Sequence, residues 1–397
     1  MSPTPSPWSS RWGSSGLAYL TGWPDGPPDF SRANVLGRAD AVAAAFGDRT
    51  GVAVDAAGLL AGRAALLGLH RGGRVSAGGA TRLLAARDGW CAITLSRPED
   101  VAAVPALVQA DEVPDGPWSA LHTWVATHPV PEVIERTALL DIPAAGLGEA
   151  AATPPRRGAL GPCAPGRQWA GLLVADLSSM WAGPLCGQLL ARAGATVVKV
   201  ESPRRPDGTR NGNRAFFDWV NAGKLSCSVD FDEQADELRE LLAVADVVIE
   251  GSRPAALARR GLGPQCLAPR PGRIWLRISG YEDHRPAFGD DAAVAGGLVG
   301  TSPEGPVFCG DAIADPLTGL EAAAALADSL DRGGGELIEV SMAGVAATYA
   351  ALPAEPSASR AAAPPPRPPA AVAPAAELGA DNGAVRRLVA ERRCPSC

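Results

Sequence analysis

The turn at residues 178–184 is the first stretch of this chain that could bind an anionic ligand. It reads Ser-Ser-Met-Trp-Ala-Gly-Pro and follows an apolar run over residues 171–176. A helix that starts at Pro184 would leave its first backbone N–H groups unpaired at the end of that run, where an anion can bind. The turn lacks the Gly-x-Gly-x-x-Gly pattern, so no nicotinamide or flavin site is predicted. Gly183-Pro184 is also common at ordinary helix starts, and both interpretations stay open.

Asp315 lies at a second predicted helix start. It is followed by Pro316 and then by apolar residues at helical spacing from Leu317 to Leu320. This order is typical of an N-cap followed by Pro at the first helical position. A helix N-terminus also favours the ionised form of a carboxylate. The local pattern therefore predicts a structural role for Asp315 that is compatible with a chemical one.

The remaining ionisable groups form no convincing metal or redox site. No His, Asp or Glu grouping has metal-ligand spacing, and Cys394-Pro-Ser-Cys397 is a CxxC pair without a second pair. Of the 36 lysines and arginines only Lys199 and Lys224 are lysines. Most of the arginines are therefore expected to be solvated surface charges.

Strands and helices must alternate to position these residues. Short apolar runs predict buried parallel strands, and the amphipathic stretches between them predict helices. This alternation implies right-handed crossovers and an α/β fold with a Rossmann-like doubly wound parallel sheet. Such sheets bind ligands at the carboxyl ends of their strands. The predicted strands are 171–176, 196–200, 225–229, 246–250 and 273–279, and helices are predicted from 184, at 233–242 and at 254–260.

Composition and charge exclude several classes of function. The chain has 397 residues, of which 46% are hydrophobic and 20% charged, so it can bury the cores of two or three domains. A net charge of −7 argues against nucleic acid and anionic membrane surfaces as partners. No signal peptide and no membrane span are predicted. The eight scattered cysteines suit reduced thiols, which predicts a cytoplasmic location.

A series of motifs, taken together in their order and spacing, resembles the class III CoA-transferases. This family includes formyl-CoA and carnitine/crotonobetaine CoA-transferases and the related α-methylacyl-CoA racemases. The motifs lie at residues 174–184, 189–203, 221–226, 245–250, 253–263, 277–281 and 314–319.

The resemblance implies transfer of CoA between an acyl-CoA and a small carboxylic acid, with Asp315 as the nucleophile. In the family, the Asp in this position attacks the thioester, and an aspartyl-CoA thioester follows a mixed anhydride. The CoA thioester is then a substrate, and no tightly bound cofactor is implied. The residues implied to contact CoA are Arg259, Arg260, Lys199, Lys224, Trp181 and Ala182.

The resemblance also predicts a rearranged domain order. Residues 88–95 and 131–145 look like the family's small α/β domain, which normally follows the segment resembling 295–350. Residues 16–27 echo residues 297–306, which suggests a partial copy of the large lobe at the start of the chain. The predicted segments are 1–67, a partial large-lobe repeat; 68–152, a smaller α/β domain; 153–168, a linker; 169–350, the large lobe; 351–379, a mobile Ala/Pro-rich tether; and 380–397, a C-terminal helix and tail.

Departures from the family pattern keep two alternatives open. Trp181 replaces a Gln of formyl-CoA transferase, which argues against formyl or oxalyl specificity. The racemase His lies in a Gly-His-Asp context that here reads Gly289-Asp-Asp291, and His70, His122, His128 and His284 do not replace it. An α-methylacyl-CoA racemase is therefore the second hypothesis. A non-catalytic acyl-CoA-binding partner subunit is the third, because the domain order is altered. Family members are interlocked dimers, so a homodimer is one expected assembly.

Overall fold

The computed structural model describes residues 7–251, 254–283 and 285–393. His284 and the Cys394–Cys397 pair lie outside these ranges. The strands, in chain order, are β1 (Thr81–Ala85), β2 (Trp90–Thr94), β3 (Ala144–Gly146), β4 (Arg156–Ala159), β5 (Leu173–Leu177), β6 (Thr196–Glu201), β7 (Leu225–Ser228), β8 (Val247–Glu250), β9 (Ile274–Ser279), β10 (Val299–Ser302), β11 (Gly305–Phe308) and β12 (Glu336–Ser341).

The helices cover both faces of the main sheet and surround a smaller one. In chain order they are α1 (Pro7–Ser14), α2 (Ala33–Thr50), α3 (Ala56–Leu67), α4 (Pro98–Ala102), α5 (Val104–Val108), α6 (Pro117–Val125), α7 (Val130–Leu139), α8 (Ala182–Arg192), α9 (Arg214–Asn221), α10 (Ala235–Val244), α11 (Pro254–Ala258), α12 (Gly289–Ala295), α13 (Ala314–Asp331), α14 (Met342–Ala350) and α15 (Asn382–Arg393). In the parts of the chain described here, none of them is long and apolar enough to cross a membrane.

The large sheet has the strand order β4-β12-β9-β8-β5-β6-β7. All neighbouring strands are parallel except β4, which pairs antiparallel with β12 at one edge. The chain runs outward from β5 through β6 to β7 and then returns to β8 on the other side of β5. This reversal creates a crevice at the carboxyl ends of β5 and β8, where open α/β sheets bind ligands. The predicted doubly wound parallel sheet is confirmed.

Helices bury the two faces of the sheet in separate apolar cores. All five residues of β5 are buried, as a central parallel strand requires. One face packs against α8 and α13, with α2 and α3 outside them, and the other packs against α10 and α15. Helices α8 and α13 approach closely at Gly319, where there is no room for a side chain. A Cβ added to this glycine would lie only 2.6 Å from the Ala182 carbonyl oxygen. This contact holds the first turns of α8 and α13 together.

A smaller α/β unit precedes the large sheet in the chain. Strands β1, β2 and β3 form an antiparallel sheet. One apolar core unites β2 with α5, α6 and α7 through Ile93, Leu107, Leu121 and Val133. The other side of the small sheet packs against the β10-β11 hairpin. The smaller α/β domain of the predicted fold class is therefore present, and its exact bounds stay a prediction.

Three stretches differ from the sequence-based expectations. The predicted linker at 153–168 contains β4, whose exposed residues complete the edge of the large sheet through backbone pairing that composition does not reveal. A full copy of the segment at 295–350 would include a strand that corresponds to β12, but residues 51–55 connect α2 to α3 without a strand. Residues 351–379 have no helix or strand, yet they are held by hydrogen bonds such as Phe30 N to Ser357 O at 2.9 Å and Ala375 N to Asp218 Oδ1 at 2.8 Å.

Candidate active site

Asp315 lies in the first turn of α13, beside the start of α8. The helix begins at Ala314 with Ile313 as its N-cap, so the expectation that Asp315 is the N-cap is wrong. The reason is the preceding turn, in which Ala312 has a left-handed backbone with φ 43° and accepts the Asp315 amide at 2.9 Å. This turn moves the helix start one residue before Asp315. The Asp315 residue remains only partly buried, so part of its surface is accessible.

The backbone amide of Ala182, the first residue of α8, faces the Asp315 carboxyl closely enough to lower its pKa. Trp181 is the N-cap of α8, and its ring is 3% exposed and packs edge-to-face on Phe216 with centroids 5.4 Å apart. The structure therefore brings Trp181, Ala182 and Asp315 together. Helix-start amides next to a carboxylate can stabilise negative charge that develops during acyl transfer.

The turn from β5 into α8 is held in a strained conformation. Met180 is left-handed with φ 72°, which is uncommon for a residue with a side chain. Its amide donates to both oxygens of Asp207 at 3.2 Å. Strained backbone that the surrounding structure enforces is frequent at functional sites.

The two lysines hold the backbone of this turn by hydrogen bonds to its carbonyl groups. Lys199 Nζ donates to Ser178 O at 3.0 Å and to Asp207 Oδ2 at 2.8 Å, and its side chain is 2% exposed. Lys224 Nζ donates to Asp176 Oδ2 at 2.9 Å, Pro184 O at 2.8 Å and Asn221 Oδ1 at 3.0 Å. Burial lowers the pKa of Lys224, while the Asp176 carboxylate opposes that change. Both ammonium groups are therefore buried and bonded to the protein around this turn, and their contact with CoA stays a prediction.

The two arginines proposed for the CoA phosphates lie away from Asp315. Arg259 is exposed, and Arg260 Nε donates to Asp232 at 2.6 Å. The neighbouring Leu257 packs in the apolar core on the α10 side of the sheet, whereas Leu317 packs in the core on the α13 side. The structure therefore does not bring these arginines into contact with the Asp315 carboxyl, and their contact with CoA stays a prediction.

Asp290 and Asp291 lie near the Asp315 carboxyl, and Asp311 lies near Asp290. Asp290 Oδ1 accepts a hydrogen bond from the Ala312 amide at 3.0 Å. The preceding Gly289 lies directly against the Asp315 carboxyl, because a Cβ added to this glycine would lie only 2.4 Å from Asp315 Oδ2. Burial raises the pKa of Asp315 and of Asp290 to about 7. Burial also raises the pKa of Asp291 to about 6 and that of Asp311 above its usual range. At neutral pH, protonated and ionised carboxyls therefore coexist in this cluster.

Arg63 of α3 is the cation of this cluster, and sequence reasoning missed it. Its Nη1 donates to Asp311 Oδ1 at 2.6 Å. Its guanidinium lowers the pKa of Asp315, Asp290 and Asp311. In a chain whose cations are almost all arginine, no local signal marks this one.

The raised carboxyl pKa values predict a pH-dependent effect of Asp290→Asn on stability. A carboxyl with a folded-state pKa near 7 and an ordinary unfolded pKa favours folding at low pH, and this contribution is lost as pH rises toward 7. Asn resembles the protonated acid and avoids the buried charge. We therefore expect Asp290→Asn to gain stability relative to the native chain at pH 8 and to gain less at pH 5. Urea unfolding at both pH values measures this, and an equal difference at both contradicts it.

One groove on the surface lies away from Asp315 and is not lined by it. This groove of about 390 Å³ lies between α2 and the later turns of α13, lined by Arg38, Val42, Arg157, Glu321 and Ala325 among others. Within the described ranges, no group of three or more His, Cys, Asp or Glu side chains is arranged to hold a metal ion.

Comparison with known proteins places these features in a family. The model of CoA-transferase family III matches residues 169–374. Succinyl-CoA–D-citramalate CoA-transferase of Chloroflexus aurantiacus is 31% identical over 189 residues, which are 42% of this chain and 47% of that protein. Succinate–glutarate CoA-transferase of Agrobacterium fabrum is 32% identical over 201 residues, 43% of this chain and 50% of that protein. The chain spans about half the length of these curated relatives. The crystal structure of a CAIB/BAIF family protein from Brucella suis is similar over 47% of this chain and 56% of that chain, at 29% identity and a TM-score of 0.42.

Proposed function

Since the chain belongs to CoA-transferase family III, we propose that it transfers CoA between an acyl-CoA and a carboxylic acid, with Asp315 as the covalent nucleophile. One observation carries this proposal: Asp315, a residue that is only partly buried, has its carboxyl facing the Ala182 amide at the start of α8. A carboxylate in this position can attack a thioester, and helix-start amides favour the negative charge that forms.

The reaction begins when an Asp315 carboxylate oxygen attacks the thioester carbon of the donor. The carbon–sulfur bond breaks, CoA leaves as the thiolate, and a mixed anhydride forms between Asp315 and the acyl group. The thiolate then attacks the Asp315 carbonyl carbon, which releases the donor acid as a carboxylate and leaves an aspartyl-CoA thioester. The acceptor carboxylate repeats these two steps in reverse order, and Asp315 is regenerated. No net proton transfer is needed, because each step exchanges one anion for another.

The acids in this reaction are proposed to be dicarboxylic acids. The two relatives described above carry names that include succinate, glutarate and D-citramalate, each with two carboxyl groups. The protein can bind the second carboxylate, which does not react, and so orient the acid with its other carboxylate toward the reaction. A homodimer and a cytoplasmic location, both expected from the sequence, stay predictions.

Trapping the covalent intermediate tests the proposed function. The protein is incubated with succinyl-CoA and then treated with hydroxylamine or borohydride, and the peptides are mapped by mass spectrometry. Hydroxylamine should convert the Asp315 carboxyl to a hydroxamate, and borohydride should reduce it to an alcohol. Modification should require succinyl-CoA and should be absent in Asp315→Asn. An unmodified Asp315 peptide, with binding of succinyl-CoA retained, would instead support the acyl-CoA-binding partner subunit.

A second candidate function is epimerisation at the α-carbon of an acyl-CoA. The specific observation in its favour is Asp290, whose carboxyl shares the site with Asp315 and has a pKa raised by burial to about 7. Two groups that titrate near neutral pH can act as proton donor and acceptor for one carbon. Incubation of 2-methylacyl-CoA in deuterated water without an acceptor acid distinguishes the two reactions. Deuterium at the α-carbon favours the epimerase. Its absence, together with CoA exchange in a parallel incubation to which an acceptor acid is added, favours the transferase.

A further inference from the structure

Arg63 reaches the site from a part of the chain that the family match does not include. The match covers residues 169–374, whereas Arg63 lies in α3 at residues 56–67. Its guanidinium carbon lies 5.6 Å from the ring centroids of both Trp181 and Phe216. The Arg63 cation is therefore held over the rings of Trp181 and Phe216, beside the start of α8.

Asp311 fixes the other side of this guanidinium. The Asp311 side chain is fully buried, and the Arg63 side chain is 23% exposed. Gly78 lies next to the pair, because a Cβ there would lie 3.5 Å from Arg63 Nη2 and 4.0 Å from Asp311 Oδ1. Removal of Arg63 would leave the buried Asp311 carboxylate without this cation.

Without Arg63, the charged groups near Asp315 would be carboxylates. Asp290 and Asp291 of α12 face the Asp315 carboxyl, Asp311 of the turn before α13 lies near Asp290, and the start of α8 contributes the Ala182 amide. Like charges at close range oppose ionisation, so an isolated cluster of this kind would hold protons. A protonated Asp315 could not attack a thioester.

We propose that Arg63 is a positioning residue for the reaction at Asp315: anchored by Asp311 and held over the Trp181 and Phe216 rings, its guanidinium favours the ionised, nucleophilic form of the Asp315 carboxyl. The functional consequence rests on the proposed CoA transfer, but the charge state of Asp315 is a separate property that can be measured without substrate. Segments that lie outside the family match thus complete the site.

Carboxyl titration tests the charge state directly. The protein is labelled with carboxyl-¹³C aspartate, and the Asp315 resonance is identified by its loss in Asp315→Asn. We expect Arg63→Gln to raise the titration midpoint of Asp315 by at least about one pH unit, as is typical of losing a nearby opposite charge. Arg63→Lys retains a cation and should stay close to the native midpoint. An unchanged midpoint in Arg63→Gln overturns the proposal, and so does an equal rise in Arg63→Lys.

Arg38→Gln is the matched control. Arg38, like Arg63, is an arginine of the N-terminal helices, but it pairs with Glu321 of α13, outside the Asp315 cluster. Its replacement should leave the Asp315 midpoint unchanged.

Transfer assays give a second measurement. In the pH profile of kcat/KM, Arg63→Gln should move the acidic limb to higher pH by the same number of pH units, and raised pH should restore the rate. A midpoint shift without any transfer activity would refute the proposed function and leave the role of Arg63 intact.

Discussion

Replacement of Asp315 by Asn is expected to abolish CoA transfer. Asn has nearly the same shape but no nucleophilic carboxylate oxygen, so neither the mixed anhydride nor the aspartyl-CoA thioester can form. We expect kcat to fall by at least about 10³-fold, the scale on which loss of a covalent nucleophile acts. The measurement is the rate of CoA exchange from succinyl-CoA to glutarate, followed by chromatography of the CoA esters.

The control for this loss is Asp331→Asn at the far end of the same helix. Asp331 is exposed and pairs with Arg49, so its replacement tests whether any carboxamide in α13 lowers the rate. Asp331→Asn should retain full activity. Thermal unfolding should show that Asp315→Asn is folded, because the substitution removes a buried charge. Residual exchange in Asp315→Asn above one tenth of the native rate would contradict the covalent mechanism.

Lys224→Met is expected to cause the largest loss of stability among these variants. The substitution leaves the fully buried Asp176 carboxylate without its cation and removes the donors to Pro184 O and Asn221 Oδ1. Breaking a buried ion pair on one side costs about 3–5 kcal/mol. Urea unfolding measures the change in the free energy of unfolding. The transfer rate should fall as well, because Lys224 holds the first turn of α8.

Two further variants decide whether the lost charge pairing is the cause. The double variant Lys224→Met with Asp176→Leu removes both charges and should recover much of the lost stability. Arg386→Met breaks the exposed pair of Arg386 with Glu237, and should change the unfolding free energy by less than about 1 kcal/mol. A Lys224→Met protein that loses no more than Arg386→Met would show that the buried pair contributes little.

The sequence by itself determined the five strands β5 to β9 of the large sheet and the helix that begins next to Asp315. The apolar runs at 171–176, 196–200 and 246–250 became β5, β6 and β8, because a parallel strand buried on both faces must be apolar throughout. The helix after residue 313 was equally predictable from its spacing. Edge strand β4 was not, because an exposed strand is held by backbone pairing and needs no apolar pattern.

Only the tertiary structure decided which charges surround Asp315. Lys199 and Lys224 stood out in the sequence, yet both are buried supports of the turn into α8. Arg63, far away in the chain, was indistinguishable from the other arginines but packs against Asp311. Periodicity reports which face of an element is buried, since burial follows from local hydrophobicity. The pairing of charges depends on how helices from distant parts of the chain pack. No local sequence pattern specifies which of these distant residues come into contact.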